Sequence, residues 1–231
     1  MELVAVRILV LVFSIVVHEV AHGYTAWKLG DNTAHDAGRL TLNPLPHIDP
    51  FGSILVPLVL ALSGSGFMFG WAKPVPVHPG RLNNPRNDHA KVAAAGPISN
   101  LLLALVFSVL LGLTVAVGGF PDAVRGGHPE PSLHNFLFTM FQFGIVINVV
   151  LAVFNLLPLP PLDGSWIVSR FLPHEARANY ENLRRYGMLI VVGFLMLMRV
   201  TPVGDLFYSA IYGVINPFFE IANTIARMGG A

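Results

Sequence analysis

His18 and His22 stand four residues apart, with Glu19 directly after the first. On a helix that spacing puts both imidazoles on one face, one turn apart. Two imidazoles so placed can hold one zinc ion, and a neighbouring carboxylate can take a proton from a metal-activated water. His18-Glu19-Val20-Ala21-His22 therefore reads as the core of a hydrolytic zinc centre, with His18 and His22 as ligands and Glu19 as the catalytic base. A catalytic zinc site keeps three protein ligands and one open position. Asp163 is the best candidate for the third. It follows a stretch broken by Pro158, Pro160 and Pro161 and precedes Gly164, so the chain can turn a carboxylate back toward the metal. His47 and Asp49, in a Pro-rich stretch, are alternatives. The remaining histidines (His35, His78, His89, His128, His134 and His174) read as solvated.

These residues must be carried by elements suited to an apolar solvent. Apolar residues make up 54% of the 231 and charged residues only 12%, about half the share of an ordinary soluble domain. Uncharged runs cover residues 50–72, 92–121, 131–162, 186–198 and 206–219. Roughly 20 apolar residues span a bilayer as a helix, so the chain reads as an all-α, multi-pass membrane protein. Residues 1–231 form one integral-membrane domain. About five to six transmembrane helices are expected, near residues 3–27, 91–117, 132–157, 183–200 and 205–226, with residues 51–69 as the doubtful sixth. Gly38–Leu42 alternates in polarity and predicts a short strand, whose edge could hold an extended substrate by strand addition. Glu19 in an apolar helix is costly, about 2.5–3.5 kcal/mol for comparable charges, and intramembrane carboxylates are usually functional.

Basic residues orient the chain. Lys73, Arg81, Arg86 and Lys91 mark one loop as cytoplasmic, and Arg170, Arg177, Arg184 and Arg185 mark another; the loop at 118–131 has only Arg125. Asp163 then lies at the cytoplasmic end of its helix. His18 and His22 reach that level only if the first helix runs inward from an external N-terminus. Residues 51–69 are consequently expected to re-enter rather than cross, with Pro57, Gly64 and Gly66 making the turn. The N-terminus lacks the basic cluster of a cleaved signal peptide.

Three elements together resemble the site-2 protease family of intramembrane zinc proteases. They are His18–His22 in an apolar helix, Gly96-Pro97-Ile98-Ser99-Asn100 opening a later one, and Asn155-Leu-Leu-Pro158-Leu-Pro160-Pro-Leu-Asp163-Gly164 ending the next. The resemblance implies a short form without a PDZ domain. It implies one zinc ion on His18, His22 and Asp163, Glu19 as general acid and base, and cleavage within a transmembrane segment of a substrate protein. Asn100 and Asn155 match polar positions of the family pattern. They could hold the substrate backbone or the oxyanion, or equally serve as glue between helices. Asn148, one heptad before Asn155, reads as packing.

Other functions fit less well. A net charge of +1 argues against nucleic acid as a partner. The absence of cysteine excludes disulfides, thiolate zinc sites and cysteine nucleophiles. A metal transporter would want ionisable groups along a path through the membrane. A non-catalytic membrane binding or chaperone protein on the same scaffold is the alternative, and it would not need Glu19. The expected partners are the lipid bilayer and transmembrane protein substrates. The expected location is the cell membrane, with the active site toward the cytoplasm.

Overall fold

A computed structural model describes residues 2–62, 70–121, 124 and 132–230. Helix α1 spans Glu2–Lys28 and delivers His18, Glu19 and His22 in its second half. It ends at Gly30, whose φ of 103° lets the chain reverse. A short helix α2, Thr33–Asp36, follows, and then a 3-10 turn at Leu45–His47, a wide turn at Pro50–Leu55 and helix α3, Val56–Leu62. An extended segment from Gly70 to His78 leads to α4, Pro85–Gly118. Asn84 caps α4 by accepting the Asn87 N–H, and Asp88 reaches back to accept the Asn84 N–H, a reciprocal cap that satisfies exposed donors at the helix start. Helix α5, Leu133–Asn155, is capped by Ser132, which accepts the Asn135 N–H. Four further helices complete the chain: α6 Asp163–Ser169, α7 His174–Asn182, α8 Gly187–Val200 and α9 Val203–Met228.

Helices α1, α4 and α5 pack on one another, and α9 lies against α4 and α5. Their shared core contains Val6 and Val10 of α1, Phe107 and Leu111 of α4, Phe141 and Ile145 of α5, and Ala222 of α9. In lipid, helices associate by close packing of small residues rather than by a hydrophobic driving force. Gly112 shows this: a Cβ there would stand 2.6 Å from the Ala222 carbonyl of α9. Large apolar side chains such as Ile8, Leu9, Leu102, Val106 and Leu113 point outward, as expected where the solvent is hydrocarbon.

Among the described residues, three helices, α1, α4 and α5, are long and apolar enough to cross a membrane. The bent stretch His174–Val200 with Val203–Met228 passes the same test only as a pair, broken by 95°. This is fewer than the five to six spans expected. The reason is length and breakage. Helix α8 has 14 residues and reaches about 21 Å at 1.5 Å per residue, short of the ~30 Å hydrocarbon core. Helix α9 is longer but carries Asp205, Glu220, Arg227 and an internal Pro217.

Gly38–Leu42 forms no strand. Gly38 takes a φ of 65°, and its N–H and that of Arg39 donate back to the carbonyls of His35 and Ala34. The Thr41 carbonyl accepts from His47 Nε2 at 3.0 Å. Turn and side-chain bonds have taken the groups a strand ladder would use. For the doubtful apolar run, Trp71 N–H donates to the Gly52 carbonyl at 3.1 Å and Ser53 Oγ–H to the Trp71 carbonyl at 2.9 Å. The two ends of that run therefore meet. Pro57 sits in the first turn of α3 rather than in a reversal, and the expected Gly64/Gly66 turn lies outside the described residues.

The extended segment is a strap pinned from several sides. Lys73 N–H donates to the His47 carbonyl, and buried Arg39 donates to the carbonyls of Lys73 and Pro74. Buried Asp31 accepts the N–H groups of His78 and Thr33 at 2.6 and 3.0 Å and the Thr33 hydroxyl. Burial alone would raise the Asp31 pKa, but these hydrogen bonds and the Arg81 charge outweigh it and hold the carboxyl below its usual range. A carboxyl depressed in the fold stabilises above its unfolded pKa, and the stabilisation is lost as pH falls through the folded value. Asp31→Ala is accordingly expected to cost about 1.5–3 kcal/mol at neutral pH. In thermal melts the gap to the parent should narrow once the pH drops below about 4; a gap independent of pH would exclude this role.

Candidate metal centre

The site is assembled from three helix segments. On α1, His18 and His22 turn toward α4, and both are buried. Helix α4 fixes their outer nitrogens. His22 Nδ1 lies 2.7 Å from the Val92 carbonyl, which can only accept, so that nitrogen carries the proton. His18 Nδ1 lies 2.6 Å from Asn100 Oδ1, which also accepts. In the neutral rings both Nε2 atoms are then bare lone pairs. They face each other at 3.0 Å.

Asp163 is the first residue of α6 and brings Oδ2 to 3.2 Å from His18 Nε2 and 3.3 Å from His22 Nε2. Its placement depends on a tight turn after α5. A Cβ on Gly164 would lie 2.1 Å from the Leu156 carbonyl, so only glycine fits. Tyr180 O–H donates to the Pro158 carbonyl at 2.7 Å. At the far end of α6, Arg86 donates to the carbonyls of Arg170 and Leu172, anchoring the short helix to the start of α4.

Three acceptor atoms thus converge without a donor among them, and Asp163 Oδ2 is buried without a hydrogen-bond partner. Such an arrangement is repulsive unless positive charge sits in it, and one proton can lie along only one of its three edges. A metal ion satisfies all three at once. The three ligand atoms lie within 4.8 Å of one another, and two imidazoles with a carboxylate suit zinc. Room for the ion comes from Gly96, where a Cβ would stand 2.4 Å from His22 Nε2 and 2.6 Å from His18 Nε2. The donor set and the cradle both fit zinc.

The centre opens on a cavity of about 750 Å³, lined by Glu19 and Asn155 as well as His18, His22 and Asp163. Glu19 Oε2 accepts the Val75 N–H of the strap at 2.7 Å. Asn155 donates from Nδ2 to the Leu151 carbonyl at 2.9 Å. Asn100, expected alongside Asn155, is not at the cavity. It is fully buried and bonded to His18, Asn148 and Ser14. His47 and Asp49 stand apart from the ligand group: His47 ties the Thr41 carbonyl, and Asp49 caps the turn at Phe51 and Gly52. His89, expected to be solvated, is half-buried and lines the cavity, its ring 3.9 Å from that of Trp166. His134 is likewise engaged, bonded to the Gly119 carbonyl. The Val92 carbonyl and the strap N–H escaped notice because backbone groups leave no mark in a sequence. Ser14 and Asn148 did leave one, as polar residues inside apolar helices.

Residues 6–198 match the family described as Peptidase family M50. The chain is 41% identical over 205 residues to "Putative zinc metalloprotease YwhC" of Bacillus subtilis, covering 89% of this chain and 84% of that protein. It is 32% identical over 219 residues to "Putative zinc metalloprotease Rip2" of Mycolicibacterium smegmatis, covering 94% of this chain and 75% of that one. No solved structure matches the chain. A family match over most of the length, joined to a His–His–Asp centre beside a glutamate, places the chain in peptidase family M50, the site-2 protease family, as a zinc metalloprotease.

Proposed function

We propose that this protein hydrolyses peptide bonds in or near transmembrane segments of substrate proteins, using one zinc ion held by His18, His22 and Asp163. The observation that carries the reading is the convergence of three bare acceptors on a cavity framed by apolar helices. Zinc bound there supplies a Lewis acid that polarises the scissile carbonyl and acidifies water. Glu19 lines the same cavity; it takes the proton of the attacking water and returns it to the leaving amine. Asn155, at the cavity wall, is placed to hold the substrate backbone or the developing oxyanion. Asn100, turned away from the cavity, acts on His18 instead. The bond from Val75 N–H gives Glu19 a structural task that a non-catalytic binding scaffold would also use, and this favours keeping that second reading under test.

The test of the metal centre is metal analysis of the purified full-length protein. Asp163→Asn replaces the anionic ligand, and its cost should exceed the roughly 10–100-fold affinity loss of removing an outer partner. Unchanged zinc content would remove Asp163 from the ligand set.

For the membrane, the reading is an external N-terminus, α1 running inward, residues 51–69 re-entering, and a centre toward the cytoplasmic side. The meeting of Gly52 with Trp71 supports the re-entry, and the basic loops support the orientation. A single cysteine introduced at residue 1 should react with an impermeant maleimide added to intact cells. Labelling only after lysis would reverse the topology.

A further inference from the structure

Four polar side chains lie fully or almost fully buried between α1, α4 and α5: Ser14, His18, Asn100 and Asn148. Unpaired polar groups in an apolar interior are costly, so their bonding can be traced completely. Two backbone carbonyls anchor it. Asn148 contacts the Gly144 carbonyl at 2.8 Å, so that end of its amide is the NH₂. The same Nδ2 donates to Ser14 Oγ at 2.9 Å, and Ser14 in turn donates its hydroxyl proton to the Val10 carbonyl at 2.8 Å. Asn148 Oδ1 therefore points at Asn100 and accepts from its Nδ2 at 2.9 Å. The Asn100 NH₂ also faces the Ser14 carbonyl at 3.4 Å. Only Oδ1 of Asn100 is left to meet His18 Nδ1.

Every bond in this chain runs the same way, from His18 through Asn100, Asn148 and Ser14 back to the backbone of α1. We propose that Ser14 and Asn148, acting through Asn100, are positioning residues that lock His18 in the Nδ1–H tautomer, leaving Nε2 as the metal ligand. This rests on the zinc reading of the site. Without Asn148, Asn100 can turn over and present its NH₂ to His18; the imidazole must then move its proton to Nε2, where it blocks the metal. A one-way chain also polarises each successive link, which strengthens the Asn100 acceptor and makes His18 a better donor to a cation. Outer partners of this kind commonly set ligand orientation and basicity. Simple helix glue would need paired amides but no fixed direction and no imidazole at one end.

The test is a zinc titration against a competing chelator on the detergent-solubilised full chain, with melting of the metal-free protein alongside. Asn148→Leu should weaken zinc binding about 10–100-fold. Ser14→Ala, a smaller change that keeps both amides, should act in the same direction by about 3–10-fold, and it stands in if Asn148→Leu does not fold. In an Asn100→Asp background, Asn148→Leu should alter zinc affinity less than about 3-fold, because a carboxylate has only acceptors to offer and needs no partner to orient it; that loss of additivity marks coupling. Lower melting of the metal-free protein with unchanged zinc affinity would overturn the proposal in favour of glue. Equal losses in both backgrounds would overturn it as well. A parent protein that binds no zinc would overturn both this proposal and the metal-centre reading, whereas a parent that binds zinc beside an indifferent Asn148→Leu overturns the proposal alone.

Discussion

Glu19→Gln is expected to lower peptide-bond hydrolysis by about 10²–10⁴-fold while leaving zinc content unchanged. That range corresponds to about 2.7–5.4 kcal/mol of transition-state stabilisation. The substitution is informative because of what it preserves. Glu19 holds the strap by accepting the Val75 N–H, and a glutamine carbonyl can accept the same bond. The amide cannot take a proton from water at neutral pH, so only the chemistry is removed. The measurement is cleavage of synthetic single-pass transmembrane peptides in micelles, read by mass spectrometry, beside zinc analysis of the same preparation. Activity above about a tenth of the parent would exclude Glu19 as the base, since the smallest effect expected of a general base is about 10²-fold. Loss of zinc along with activity would mean that the Glu19 charge helps to hold the metal, since the glutamine keeps the strap bond.

The second large effect is expected at a residue with no functional group. Gly96→Ala places a Cβ 2.4 Å from His22 Nε2 and 2.6 Å from His18 Nε2, against the two nitrogens that would hold the metal. Neither imidazole can retreat freely, because α4 itself holds their outer nitrogens through Val92 and Asn100. Zinc content and hydrolysis should both fall to background. The helix, by contrast, should gain, since alanine is better than glycine in a helix interior by about 1 kcal/mol. Against that gain stands the overlap with two held imidazoles, about 1–3 kcal/mol for overpacking, so the signature is a folded protein that takes up no zinc. Full zinc content in this variant would show that the cradle between α1 and α4 is not the metal position.

These two residues also show how unevenly the site was legible. Glu19 announced itself: a carboxylate in an apolar helix, flanked by histidines four apart, has few other uses. Gly96 appeared only as the first residue of the Gly96–Asn100 motif, with no functional group to mark a role. Its importance lies in which helix it faces, and no local pattern records that. Asn155 and Asn100 looked equivalent in sequence, both amides near the ends of apolar helices. The fold separates them, one at the cavity wall and one sealed against His18. Asn148, taken for packing, sits in the middle of the buried chain.

The expected strand at Gly38–Leu42 failed for a related reason. Alternation of polarity is a weak signal over five residues, and here the backbone groups are satisfied by turn bonds and by His47. The count of spans fell short for two reasons: α8 is too short to cross alone, and α9, though long enough, carries charges and an internal proline and meets α8 at a sharp angle.

By itself the sequence pointed to an apolar solvent, to zinc-protease chemistry and to a candidate donor set. Apolar composition over long runs demands a bilayer, and the 3.6-residue period of a helix forces His18 and His22 onto one face. Residue types alone limit what Asp163 and Glu19 can do there. Only the tertiary structure decided which atoms meet. His18, Gly96, Asn148 and Asp163 lie on four different helices, and their convergence is set by packing between surfaces far apart in the chain. Proton positions were decided there too, because the carbonyls of Val92, Val10 and Gly144 that dictate them belong to the backbone, which every residue carries alike.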